Sequence, residues 1–242
     1  IIIPVYNEGK NINSVFYQFQ YQVQTKFRVI ICYDHDDDNT LTAYDSKNFD
    51  FEILQLKNSG IGAHDAVITG LYFSNADCVI VFPGDDLINQ NIIDKMYARY
   101  SQGCDIVVAS RFMKGGSMKG CPLVKSVLVR AASKTLHYFS SIPVKDASNG
   151  FRLFSRQLLD TVEIESKVGF SYSIELLVKC DRLGWKIGEV PAQWEERVQG
   201  KSRFRVAQWV PNYIRWYFYG LSTSWLFRGP KTVSTRSAET DN

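Results

Sequence analysis

The chain opens on an apolar run, residues 1–5, that gives way at Pro4 to the polar Asn7-Glu8-Gly9. A short apolar run closed by turn residues predicts a buried strand followed by a loop. Residues 27–33, 51–56, 78–82 and 105–109 are four further runs dominated by apolar side chains. Helical spacing falls between them: in the stretch running to Val23, with Asn11 or Asn13 as its cap, and in residues 60–75 and 92–100. Strands that are apolar throughout, alternating with helices, predict an α/β fold with a mostly parallel central sheet covered on both faces. Ligands of such sheets bind beyond the carboxyl ends of the strands. Those ends carry Asn7-Glu8, Asp34, Asp85-Asp86 and Arg111, so four polar clusters are expected to converge on one crevice.

The second half is less regular. Leu123, Val124, Val127, Leu128, Ala131, Ala132, Leu136 and Phe139 recur at helical spacing and predict a helix with one buried face. Arg130 and Lys134, four apart, share its other face. Residues 151–154 and 185–190 read as strands and 172–183 as a helix. Residues 206–227 are rich in Trp and Tyr, and the Ser/Thr-rich tail from 228 to 242 is expected to be disordered.

Composition narrows the class. The 242 residues, 45% hydrophobic and 22% charged, suffice for one large α/β domain and exclude disordered, collagenous and disulfide-scaffold chains. A net charge of +3 is too small to argue for nucleic acid, and no nucleic-acid partner is expected. The distribution of charge says more. Residues 106–145 contain no acid but hold Arg111, Lys114, Lys119, Lys125, Arg130, Lys134 and Lys145; residues 198–238 are also acid-free. Such stretches are either solvated basic faces or contacts for phosphates, a pyrophosphate or an anionic membrane surface. Cys32, Cys78, Cys104, Cys121 and Cys180 form no CxxC pair, which fits reduced thiols and a cytoplasmic setting. No run is long and apolar enough to span a bilayer, and no signal peptide is visible. Because the chain begins inside a strand without Met, a few native residues are expected in front of it.

Two carboxylates directly after a buried strand, Asp85 and Asp86, suit Mg²⁺ or Mn²⁺ with a ligand's phosphate oxygens completing the shell. The alternative is a Gly-Asp-Asp turn with solvated acids. Asp34 ends a strand and can accept hydrogen bonds from a base or ribose, whereas Asp36 to Asp38 read as an exposed acidic turn. The turn Gly60-Ile61-Gly62-Ala63 either admits a phosphate close to the backbone or is a simple tight turn. His64 and His137 are lone histidines without an assigned role. Arg111, at a strand end, and Arg197, Lys201 and Arg203, around Gly200, are cations of the kind that stabilise a departing diphosphate.

Eight segments, in order over residues 1–205, resemble family 2 glycosyltransferases of the GT-A fold, especially the polyprenol-phosphate (dolichol-phosphate) mannosyl- and glucosyltransferase branch. They are IIIPVYNE, Asp34, NSGIGAHDAVITG, VFPGDD, ASRFMKGG, DASNGFRLFSR, GFSYSIELLVKC and EVPAQWEERVQGKSRF. The resemblance implies one GT-A domain over residues 1–205 and inverting transfer of a hexose from a GDP- or UDP-sugar to a polyprenyl phosphate, assisted by Mg²⁺ or Mn²⁺. Pro4, Tyr6, Glu8 and Asp34 would form the nucleotide pocket, and Asp85, with Asp86, would bind the metal. Arg111 and Arg130 would hold the acceptor phosphate, Glu175 would be the Glu of the family's helix, and Arg197, Lys201 and Ser202 would close over the diphosphate. The sequence departs from the family where Pro83 stands at the first Asp of Asp-x-Asp and Asn149 at a usual Ser. A saccharide acceptor is the first alternative; it would require a base, for which Glu175 and Asp146 are the candidates. A degenerate domain that only binds nucleotide sugar is the second. Residues 206–227 would either lie in the membrane interface, on the cytoplasmic face, or pack on the catalytic domain.

Overall fold

Alternation inside each apolar run sets the two faces of the sheet. In the computed structural model, which describes residues 1–195 and 206–236, the first strand is β1 (Ile2–Pro4). Its Ile2 points into one core and Ile3 into the other. The same division holds for Val79 and Val81 against Ile80 in β4 (Cys78–Val81), and for Ile106 and Val108 against Val107 and Ala109 in β5 (Ile106–Ser110). The side-chain period of two thus makes these strands the wall between two apolar layers. One layer is closed by α1 (Ile12–Gln22), whose Ile12, Val15, Phe16 and Phe19 form a buried stripe, and by α3 (Ile93–Ser101). The other is closed by α2 (Ala63–Phe73), α5 (Arg156–Thr161), α6 (Ser171–Arg182) and α7 (Val206–Trp225).

With β2 (Arg28–Tyr33), β3 (Glu52–Lys57), β7 (Arg152–Ser155) and β8 (Ile187–Pro191), the sheet has the order β3-β2-β1-β4-β7-β5-β8. All its pairings are parallel except those of β7, which runs antiparallel to both β4 and β5. β6 (Ser117–Lys119) and β9 (Gln193–Glu195) make a separate parallel ribbon.

Three expectations change. The 17-residue α4 (Leu123–Phe139) forms as predicted, but most of its apolar stripe is not buried. Leu136 and Ser133 face the core, while Leu123 (83% exposed), Val127, Leu128, Ala131, Ala132 and Phe139 face outward. Periodicity reports that an apolar face exists, not what covers it. The described part of the tail is ordered: Thr235 pairs with Val162, the Glu163 amide donates to the Ser234 carbonyl, and Val233 is buried. Asn11 occupies the cap position of α1, but its side chain turns away and donates to Glu8 Oε2 at 2.8 Å. All five cysteines are free thiols.

Candidate active site

Strand order reverses between β1 and β4, so the crevice between their carboxyl ends is where the fold offers a ligand site. Pro4 ends β1, exposed Tyr6 and half-buried Glu8 follow it, and Gly84 lies so close that a Cβ there would stand 3.2 Å from Ile3 and 3.6 Å from Glu8. The loop after β1 is clasped from the β2 side. Asp38 accepts the Asn7 amide at 3.0 Å, Thr40 Oγ1 the Glu8 amide at 2.9 Å, and Asn39 Oδ1 the Gly9 amide at 2.9 Å. Three successive N–H groups, starting at an Asn7 with φ of 57°, are held by three successive side chains. Asp38 is therefore buried, which corrects the exposed reading of that residue; Asp36 and Asp37 are exposed as expected.

At the end of β2, half-buried Asp34 accepts from Asn58 Nδ2 at 2.7 Å and from the Gly62 amide at 2.9 Å. Gly62 has φ of 93°, a conformation that favours glycine. The Gly60 amide goes to Asn58 and the Ile61 amide to Asp65. Three of the turn's four amides, those of Gly60, Ile61 and Gly62, are taken by side chains, so the turn braces Asp34.

The two acids after β4 have different surroundings. Asp86 takes three hydrogen bonds: it accepts the Ile88 and Asn89 amides at 2.9 and 3.0 Å and Asn89 Nδ2 at 2.6 Å. Burial raises its pKa against those hydrogen bonds. It holds the turn that leads into the short 3-10 segment Gln90–Ile92, and its role as a second metal ligand stays a proposal beside that one. Asp85, half-buried at the rim, carries none of these capping bonds. Among the described residues no cluster of three or more His, Cys, Asp or Glu side chains exists. A site with no more than the Asp85-Asp86 pair fits a hard cation that takes its other ligands from phosphate oxygens and water, not a protein-caged metal.

Beyond β5, Arg111 grips Asp146 in a fork: Nε to Oδ2 at 2.7 Å and Nη2 to Oδ1 at 2.9 Å, with its own amide on Oδ2 at 3.0 Å. Nη2 also donates to Ser148 at 2.6 Å. The side chains are 11% and 0% exposed. Burial alone would raise the Asp146 carboxyl, but the Arg111 guanidinium and the hydrogen bonds prevail and hold it below the usual range. Gly116 folds back over this corner, where a Cβ would meet the Ser110 carbonyl at 2.4 Å. Fully buried Arg152 secures the loop before β7 by donating to the carbonyls of Asn149, Ala147 and Ser173, and burial lowers its pKa to about 10. Arg130, from α4, stacks over the Phe112 ring at 4.7 Å, and Arg111 over the same ring at 5.1 Å. Residues from two separate elements thus bring two guanidiniums to one aromatic side chain.

Residues 1–163 match the model of the family described as Glycosyl transferase family 2. The chain belongs to glycosyl transferase family 2. Among relatives of this family 2 chain, the dolichol-phosphate mannosyltransferase of Pyrococcus furiosus is 24% identical over 228 residues, covering 89% of the chain and 63% of that protein. The polyprenol monophosphomannose synthase of Mycolicibacterium smegmatis is 22% identical, with 86% and 85% covered. Among solved structures, the glucosyl-3-phosphoglycerate synthase of Mycobacterium tuberculosis in complex with Mn²⁺, uridine diphosphate and glucosyl-3-phosphoglycerate superposes with a TM-score of 0.62 at 18% identity, covering 92% of this chain and 78% of that one. The family 2 domain has the GT-A fold of these neighbours, and it is a glycosyltransferase domain.

Not every predicted residue of the family 2 domain reaches the crevice. Glu175 is fully buried on α6, where it accepts the Glu165 and Ser166 amides at 2.7 and 2.8 Å and pairs with buried Lys179 at 2.7 Å. Its carboxylate is thus taken up by protein groups on a buried helix face rather than offered to a substrate. His64 is buried against the Gly169 carbonyl and the Tyr172 ring. Arg197, Lys201 and Ser202 lie outside the described residues. The clasp formed by Asp38, Asn39 and Thr40 was missed; its signal is the run of short side chains able to accept hydrogen bonds directly after a strand.

Proposed function

We propose that this domain transfers a hexose from a GDP- or UDP-sugar to a polyprenyl phosphate with inversion and with help from a divalent cation. The observation that carries this reading is the pair of arginines at Phe112, in a stretch without acids. A phosphate acceptor is already an anionic nucleophile and needs no strong base. The two residues considered as a base for a saccharide acceptor do not suit that role. Asp146 is paired with Arg111 and held acidic, and Glu175 is enclosed by its amides and Lys179. The names of the archaeal and mycobacterial relatives, a dolichol-phosphate mannosyltransferase and a polyprenol monophosphomannose synthase, support the same acceptor class.

In this reading Pro4, Tyr6, Glu8 and Asp34 receive the nucleoside, with Asp34 accepting from base or ribose. Asp85 holds Mg²⁺ or Mn²⁺, an ion that would neutralise charge developing on the diphosphate; Mn²⁺ in the mycobacterial synthase supports the choice of metal. Arg197, Lys201 and Ser202 contact the diphosphate. Arg111, fixed by Asp146 and Ser148, presents its remaining edge to the acceptor phosphate, and Arg130 presents a second guanidinium. Arg130→Ala is expected to raise the KM for a polyprenyl phosphate about tenfold or more, as loss of a charge-assisted contact of 1.5–3 kcal/mol implies. Nucleoside diphosphate affinity should not change. Efficient transfer to a soluble saccharide with none to the lipid phosphate would overturn the assignment.

A lipid acceptor requires access to a bilayer. No helix among the described residues is long and apolar enough to cross one. However, α4 exposes Leu123, Val127 and Leu128, and α7, packed through buried Trp216, exposes Ile214, Phe218 and Trp225. Aromatic and aliphatic side chains interleaved with Lys and Arg suit the headgroup region of an anionic membrane. Sedimentation with anionic liposomes should fall in Leu128→Glu/Phe218→Glu, with no change in melting temperature. Unchanged sedimentation would remove membrane docking from the proposal.

A further inference from the structure

The buried side chain of Asn89 has no part in the reaction described above, yet it joins two elements of the site. Asn89 is 3% exposed. Its Nδ2 donates to Asp86 Oδ2 at 2.6 Å and to the Gln193 carbonyl at 2.7 Å, while its Oδ1 accepts the Gln193 amide at 2.8 Å. One amide side chain therefore pairs with the main chain of Gln193 as a neighbouring strand would. At the same time it holds the carboxylate that follows Asp85. Gln193 opens β9, and the far side of β9 is paired with β6, the strand that follows the Arg111 corner. The ribbon is further held by Lys119 with Glu195 at 3.4 Å and by Lys125 over the Trp194 ring at 5.4 Å. Asn89 is thus the side chain through which the turn bearing Asp85 is fixed to β9, and through β9 to the segment bearing Arg111.

We infer that Asn89 is a positioning residue: by latching the Asp86 carboxylate to the Gln193 backbone, it sets the place of Asp85 relative to the β6–β9 ribbon and so determines affinity for the divalent cation with its nucleoside diphosphate. Asn89 itself touches neither. The inference rests on the reading of Asp85 as the metal carboxylate. Outer partners of a metal carboxylate typically change metal affinity 10–100-fold when altered.

Asn89→Asp separates this role from simple capping. It keeps the shape, loses the donor to both Asp86 and Gln193, and sets two carboxylates against each other. Asp86→Asn/Asn89→Asp restores the donor between positions 86 and 89 but leaves the Gln193 carbonyl without one. The measurement is Mn²⁺ affinity in the presence of saturating nucleoside diphosphate, by electron paramagnetic resonance of free Mn²⁺. Affinity for the metal-free nucleoside reports whether each variant is folded. Asn89→Asp is expected to weaken Mn²⁺ binding at least tenfold, and the double variant should remain weak. Recovery in the double variant would reduce Asn89 to a cap for Asp86 and overturn the inference, as would wild-type affinity in Asn89→Asp. Should Asn89→Asp fail to fold, Gln193→Pro, which removes the amide bonded to Asn89 Oδ1 and is compared with Gln193→Ala to account for the lost side chain, gives the same reading: Mn²⁺ affinity in a folded Gln193→Pro protein equal to that of Gln193→Ala overturns the inference. If Asp85→Asn binds Mn²⁺ like the wild type, the reading of Asp85 fails instead, so the two failures are distinct.

Discussion

Asp85→Asn is expected to abolish sugar transfer while leaving the fold nearly unchanged. The residue is half-buried after a strand end, and Asn matches Asp in size, so the substitution opens no cavity. What it removes is the carboxylate assigned to the metal, and with it several kcal/mol of transition-state stabilisation, on the order of 10³-fold or more in rate. Asp86→Asn acts differently. It disturbs a cap that accepts three hydrogen bonds and is expected to lower the melting temperature and to reduce activity less than Asp85→Asn. Release of nucleoside diphosphate at limiting Mn²⁺ measures both. Full activity in Asp85→Asn would mean that the metal is held elsewhere, and that the alignment across Pro83 is wrong.

Asp146→Ala should have the largest effect on stability. Its carboxylate is fully buried and receives the Arg111 fork, the Arg111 amide and Ser148. Removing one partner of a buried ion pair leaves the other charge uncompensated, at a cost of about 3–5 kcal/mol. Urea unfolding of the variant should show this loss, together with a raised KM for the acceptor because Arg111 is released. The sign of the pH dependence follows from the lowered Asp146 pKa. A carboxyl depressed in the folded state contributes fully above its unfolded pKa of about 3.9, and the contribution is lost as pH falls through the folded value. Acid titration of the wild type should therefore show a loss of stability below about pH 4 that Asp146→Ala lacks. Equal urea midpoints for variant and wild type at neutral pH would contradict the geometry.

The sheet and the location of its crevice were readable from the sequence, because apolar runs closed by polar clusters mark both strands and their ends. That rule alone offers Asp34, the pair Asp85-Asp86 and Arg111 as candidates; the choice of Asp85 within the pair rests on the family resemblance. What stayed hidden depends on contacts distant in sequence. Nothing local separates Asp38 from Asp36 and Asp37; only the approach of Asn7 from β1 buries it. Nothing local separates Asp86 from Asp85, because the difference lies in Asn89 and the turn it closes. Glu175 and Lys179 have the spacing of an ordinary exposed pair on a helix, and their burial comes from Trp216 and the segment around Glu165. The stripe on α4 was legible as apolar and misread as core, since a period of 3.6 is the same for a face against protein and a face left uncovered.

The reversed strand β7 has a consequence for how the chain is made. β4 and β5 follow each other in sequence but never pair; β7 lies between them and is synthesised later. Roughly 70 residues separate the end of β4 from β7, several seconds of translation at about 5–20 residues per second. During that interval β4 has an open edge on its β7 side, and its hydrogen-bonding groups are available to any extended segment. Nascent chains stopped before Arg152 should therefore be the ones most dependent on chaperones, and addition of the four residues of β7 the step that releases them.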